Sequence, residues 1–219
     1  MVDIAKQLDA VDRAVRTDDF DGEPARIQTL VQTYPAPIDE VWDALTDADR
    51  VSRWFLPVSG DLKLGGQYQL EGNAGGTVQS CEPPQAGTAS FRLSWGMGGP
   101  DTWVTVRLES VGADHTRLEL EHVAPVSLVP DELWAQFGPA GTGIGWDSGL
   151  LGLSLHLSDP SARPEDAQAW TMTDEGKAFF RGSADAWAVA HETDVDADTA
   201  RAAAHATYLM YTGEGPAPM

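Results

Sequence analysis

Cysteine occurs once in the 219 residues, at Cys81, so the chain can form no internal disulfide and no multi-thiolate zinc or iron–sulfur site. Cationic side chains are scarce: 14 Lys and Arg stand against 34 Asp and Glu, a formal net charge of −20. With so few groups to neutralise phosphates, nucleic acid and anionic membrane are excluded as expected partners. The acidic residues are spread along the chain, as on a solvated surface. No apolar run approaches the roughly 20 residues a membrane span needs. The segment MVDIAKQLDAVDRAVR is charged and amphipathic, with no apolar stretch before a small-residue cleavage site, and the expected location is cytoplasmic.

Catalytic signatures are also missing. The five histidines, His115, His122, His156, His191 and His205, show no HExxH and no paired Cys/His spacing, so no metal site is expected. No serine lies in a G-x-S-x-G elbow, and Ser148 reads as a small helix residue rather than a nucleophile. The glycines of GPAGTGIGW resemble a dinucleotide fingerprint only superficially, because VSLVPDELWAQF precedes them where a buried parallel strand is required. Gly176–Lys177 lacks the other residues of a phosphate loop. No cofactor and no catalytic residue are therefore assigned.

What is present is pattern. Ile4, Leu8, Val11 and Val15 fall on one helical face and predict an amino-terminal helix, broken by DDFDGEP. ARIQTLVQTYPA reads as a strand, and Pro37 suits the first turn of the next helix, IDEVWDALTD. A second short helix, DADRVSRWF, presents Val51, Trp54 and Phe55. Six strand-like segments follow, DLKL, GGQYQLEG, GGTVQSCE, ASFRLSWG, TWVTVRLESV and HTRLELEHV, separated by Gly-, Pro- and Asp-rich turns. They predict an antiparallel meander.

Period-two alternation puts Leu118, Leu120 and His122 on one face, with Phe91, Leu93 and Trp95 pointing together and Tyr68 with Leu70. An apolar, aromatic sheet face needs a cover. The helix from Ile144 to Leu157 supplies one, with a stripe of Trp146, Leu150, Leu153 and Leu157 beside a second of Gly145, Gly149, Gly152 and His156. Glycines in a helix cost about 1 kcal/mol each against alanine, so that second stripe either leaves space or admits a close neighbour. The candidate lining of a binding cavity is therefore Trp54, Tyr68, Leu93, Trp95, Leu118, Leu120, His122, Trp146, Leu150 and Leu153, and the expected ligand a small hydrophobic molecule. His122 places an ionisable imidazole on the apolar face, able to hold a ligand carbonyl or hydroxyl, or to act as acid or base with Asp147 or a water. DPSARPEDAQAW, TDEGKAFFRGSADAWAVAHE and DADTARAAAHATYLMY carry helical patterns expected to pack outside the main helix.

The segments TYPAPIDEVWDALTDADRVSRWF, LGGQYQLEGNAGGTVQSCEPP, FRLSWG, HTRLELEHVAP and GWDSGLLGL together resemble the family named for the activator of Hsp90 ATPase homologue, over about residues 26 to 157. That family sits in the START-like superfamily, with polyketide cyclases and lipid carriers. The resemblance implies an α+β helix-grip fold: a curved antiparallel sheet around a long helix with a cavity between them. It divides the chain into an amino-terminal helical extension (1–24), a START-like domain (25–157) and a carboxy-terminal helical extension and tail (158–219). It also implies three functions to weigh: ligand carriage, cyclase-like catalysis in the same cavity, and contact with a chaperone. A homodimer stays open.

Overall fold

Val11 and Val15 are four apart, a spacing that suits a strand as well as a helix. In the computed structural model, which describes residues 3–98, 101–159 and 167–215, the strand wins. The first helix, α1, covers only Ile4–Asp9, capped by the Asp3 carboxylate accepting from the Lys6 amide, and β1 runs from Val11 to Phe20. The expected helix through Val15 is thus corrected. The cause is the turn at Asp21 and Gly22, both at positive φ (54° and 89°), the Asp-Gly chemistry of a tight hairpin that sends the chain back as β2, Glu23–Tyr34.

Helices α2 (Ile38–Thr46) and α3 (Ala48–Trp54) follow as expected, with Pro37 at the N-cap of α2 rather than inside its first turn. The Asp47 side chain caps α3. DLKL is not a strand: the short β3 is Val58–Gly60, just before it, and residues 61–66 form the turn into β4, Gln67–Leu70. Strands β5 (Gly75–Gln85), β6 (Thr88–Trp95), β7 (Thr102–Gly112) and β8 (His115–Pro125) complete an eight-stranded sheet in the order β1-β2-β8-β7-β6-β5-β4-β3. β4 pairs only with Gly75–Thr77 of β5, so among the described residues β5 beyond Val78 has no strand on that side, and Pro83 and Pro84 stand on this open edge. Helices α4 (Asp131–Phe137), α5 (Ala140–Ser158), α6 (Ala167–Thr171), α7 (Asp174–His191) and α8 (Ala197–Thr212) finish the chain. The helical pattern expected over 159–170 falls partly outside the described residues, as does the end of the tail.

The chain divides into two compact units, one of residues 1–28, 125–148 and 164–219, the other of 29–124 and 149–163. In the first, Ile144 of α5 and Phe179, Ala184 and Trp187 of α7 are fully buried. Gly143 lies so close to Trp187 that a Cβ there would sit 2.3 Å from the indole. The Asp147 carboxylate, 1% exposed, accepts a bidentate pair from Arg13 of β1 (2.9–3.1 Å), a short hydrogen bond from Ser183 (2.5 Å) and one from the Trp187 indole N–H (3.1 Å). Burial pushes this carboxyl up, and the Arg13 charge pulls it back.

In the second unit, one sheet face alternates as the sequence predicts. Leu118 pairs with Leu108, Leu120 with Val106 and His122 with Val104, and these continue to Ala89, Phe91 and Leu93 on β6. The second half of α5 lies against β2, where the Tyr34 hydroxyl donates to the Leu150 carbonyl (3.2 Å) and the Gln32 amide donates to Ser154 Oγ (2.9 Å). The glycines of this half admit α3: a Cβ on Gly152 would sit 2.4 Å from the Trp54 carbonyl oxygen, whereas one on Gly149 would meet the Phe55 ring at an ordinary 3.5 Å. Gly149→Ala is therefore expected to stabilise the protein by about 0.5–1 kcal/mol through helix propensity. Gly152→Ala is expected to destabilise it by about 1–2 kcal/mol, because backbone must move. Urea melts of the two variants check this, and equal effects would mean that the helices are not in close contact.

Candidate functional site

Strand alternation delivers an apolar face, and what covers that face differs from end to end. At the Phe91 end, α2 closes it: the Trp42 ring meets Phe91 edge-on at 6.0 Å, and the buried Thr116 hydroxyl donates to the Ala36 carbonyl (2.8 Å). Val106, Leu108, Leu118 and Leu120 are all buried here. At the other end Tyr68, Leu70 and Val78 form a buried cluster, but the apolar side chains packed on it, Phe55, Leu56, Val58, Leu62, Leu93 and Trp95, stay only partly buried. Aromatic rings concentrate there, with Tyr68 and Trp95 6.5 Å apart and tilted, and Trp54 and Phe55 5.5 Å apart. Several large apolar groups on this inward face are thus left only partly covered.

Its polar groups are few and tied. The Tyr68 hydroxyl donates to the Ser94 carbonyl (2.8 Å), and burial, with the Asp101 charge second, raises its pKa well above the ordinary phenol range, so it stays protonated. His122, 5% exposed, stands 2.9 Å through Nε2 from Thr102 Oγ1, which itself lies 2.9 Å from the Trp95 carbonyl. A carbonyl can only accept, so the single Thr102 proton goes to Trp95 and His122 Nε2–H donates to Thr102. Burial pushes the imidazole down to about 4, leaving it neutral at physiological pH.

Of the sequence-predicted residues, Tyr68, Leu93 and Trp95 meet in this cluster, and His122 joins Trp95 through Thr102. Leu118 and Leu120 share the face of His122 but sit in its filled part. Trp54 is partly buried, its indole N–H donating to the Ala44 carbonyl (2.9 Å). Leu150 and Leu153 are buried in the second half of α5, while Trp146 is buried in the other unit. Asp147 is also in that unit, with Arg13, Ser183 and Trp187 around its carboxylate, and Ser148 donates to the Ile144 carbonyl as an ordinary helix residue. Thr102 and Leu62 were not singled out by sequence, and Phe55 was read only as part of the α3 face. Thr102 has the same strand parity as Val104 and Val106, and that was the signal for it.

A separate groove of about 930 Å³ opens on the polar face of the sheet, between Glu82, Pro84, Ser90, Arg107 and Glu119, and none of the predicted lining residues borders it. Among the described residues no group of His, Cys, Asp and Glu could hold a metal ion, and no helix is long and apolar enough to cross a membrane.

Comparison with known proteins bears on what this architecture belongs to. No protein of curated function matches the chain. Among solved structures, the crystal structure of CalU16 from Micromonospora echinospora is similar at 38% identity, covering 69% of this chain and 88% of that one, with a TM-score of 0.56. The solution structure of CalU16 aligns over 90% of this chain and 97% of that one at 30% identity, with a TM-score of 0.62. A conserved protein of unknown function from Enterococcus faecalis shares the fold at 14% identity, covering 78% of this chain and 88% of that one, with a TM-score of 0.54. The sheet and helix order is the helix-grip arrangement of the START-like superfamily, present here along almost the whole length of CalU16. The family described as activator of Hsp90 ATPase homolog 1-like protein matches residues 35–154, more than half of the chain, from the end of β2 through most of α5, and the protein belongs to it.

Proposed function

We propose that the protein binds a small, uncharged, largely apolar molecule on the inner face of the sheet in its second unit, against Tyr68, Leu93 and Trp95, with the Phe55–Leu62 segment as rim. The observation that carries this is the contrast along one sheet face: Val104, Val106, Leu118 and Leu120 are buried, whereas Leu93, Trp95 and their apolar neighbours are only partly covered. Thr102 and His122 supply the polar anchors. The apolar side chains of the cluster favour a largely apolar ligand, since an ion placed against them would lose its hydration.

Carriage or sensing suits these groups better than acid–base catalysis. An imidazole held near 4 is too weak a base and too rarely protonated at neutral pH to work as a general acid, and its Nε2 proton is already given to Thr102. A screen of neutral aromatic and aliphatic compounds by thermal shift is expected to return binders. N-phenyl-1-naphthylamine is expected to bind with fluorescence enhancement, and Trp95→Ala to weaken it about tenfold, some 1.4 kcal/mol. Unchanged affinity in Trp95→Ala, or no shift with any compound, would place the function elsewhere.

The family description favours one second reading, an interaction with a chaperone of the Hsp90 type. Stimulation of an Hsp90 ATPase by the purified protein, unchanged in Trp95→Ala, would support that alternative over ligand carriage.

A further inference from the structure

We propose that Arg50 and His156 form a proton-sensitive latch that holds α2 and α3 onto the second half of α5, and that acid releases it and opens the rim of the apolar cluster. The proposal rests on the ligand-binding function above, whose regulation it names.

The geometry is confined to the second unit. Arg50 on α3 stands with Nε and Nη2 each 3.2 Å from His156 Nε2, while its Nη1 and Nη2 reach Asp43 (2.8 Å) and Glu40 (2.6 Å) on α2. One guanidinium thus ties α2, α3 and α5 together. A guanidinium donates and never accepts, so His156 Nε2 must present its lone pair and the ring proton must sit on Nδ1. Nδ1 is buried and finds no protein acceptor, so the neutral ring is fixed by Arg50 alone. His156 itself is 2% exposed.

Protonation of Nε2 would aim an N–H at two N–H donors and set one cation against another. It would cancel both hydrogen bonds of the latch. The charged groups acting on the ring are Arg50 and Arg53 from α3, which oppose its protonation, and Glu40 from α2, which favours it. Asp43, also on α2, acts through Arg50. Burial leads these effects, and together they hold the imidazole below its ordinary range. Release would matter because α3 ends at Trp54 and Phe55: the Trp54 carbonyl packs on Gly152 and the Phe55 ring on Gly149, and Phe55 borders the apolar cluster. Latch and rim are therefore one mechanical piece.

The two other buried imidazoles lie elsewhere. His122 is on β8, and His191 is in the other unit. Hydrogen exchange of residues 38–55 in the full chain, corrected for intrinsic exchange and followed from pH 8 to pH 5, reads the latch directly. In the wild type the opening equilibrium is expected to rise about tenfold per pH unit below the ordinary imidazole range, until the latched ring itself takes up the proton. His156→Gln, which offers Arg50 a carbonyl oxygen that takes no proton in this range, is expected to stay flat. Equal profiles in both proteins, or a flat wild type, overturn the proposal. Should His156→Gln not fold, the wild-type ring is titrated by NMR, and a ring that titrates within or above the ordinary imidazole range overturns it instead. Release of N-phenyl-1-naphthylamine is measured in parallel. Exchange that behaves as expected without any dye binding keeps the latch and removes the ligand function; dye binding with flat exchange does the reverse.

Discussion

Asp147→Ala is expected to cost about 3–5 kcal/mol of folding stability, the loss found when one member of a buried ion pair is removed. Arg13 and Asp147 are 5% and 1% exposed, and Arg13 also donates to the Leu8 and Val11 carbonyls (3.2 and 2.8 Å), so the guanidinium cannot swing to water without breaking the start of β1. Truncating the carboxylate leaves that cation uncompensated, and removes the acceptor used by Ser183 and the Trp187 indole. Adding Arg13→Met to the same chain should return part of the loss, because the stranded charge is gone while the two orphaned donors remain. Chemical denaturation at pH 7 checks the series. A single-variant loss under about 1 kcal/mol, or a double variant less stable than the single, would show that the pair is not buried as described.

Acid is the second large lever. The His122 imidazole titrates near 6.5 in the unfolded chain and near 4 in the folded one, so the unfolded state takes up the proton first as pH falls. The stabilisation is complete above about pH 6.5, drains away below it and is gone by about pH 4, an overall loss on the order of 3 kcal/mol from this one group. His156 and His191, both also held low by burial, add in the same direction. Asp147, pushed up by burial, acts in the opposite sense, since there the folded state gains the proton more readily. His122→Gln should therefore flatten the stability curve between pH 6 and pH 4.5 by about 1.4 kcal/mol per pH unit. Urea melts at several pH values measure the slope, and an unchanged slope would mean that the ring is hydrated.

Much of the sheet could be read from sequence because one face is wet and the other dry. From Phe91 to Trp95 and from Leu118 to His122 the alternation is unbroken, and pairing follows it rung by rung. The amino terminus was misread for the same reason in reverse: Val11 and Val15 are four apart, a spacing common to both periods, and only the Asp21–Gly22 turn decides between them. Taking that turn as a hairpin would also have placed Arg13 on the buried face beside the two valines, where a lone cation demands a carboxylate. Asp147 could not be found that way, since its partners come from β1 and α7, 134 and 36 residues distant. The glycine stripe of α5 was equally ambiguous, because absence of a side chain does not say whether a neighbour fills the space; at Gly152 it does. The candidate site was legible as a face, but how much of that face stays uncovered was not, since it depends on how far α2 reaches over the sheet.

The proline pair on β5 carries a consequence for crowding. A strand that ends its pairing halfway is an invitation to a second molecule to continue the ladder, yet at positions 83 and 84 there is no amide hydrogen to offer. Molecules colliding along this border would find their zipper jammed, and concentrated solutions should stay free of fibrils seeded from it.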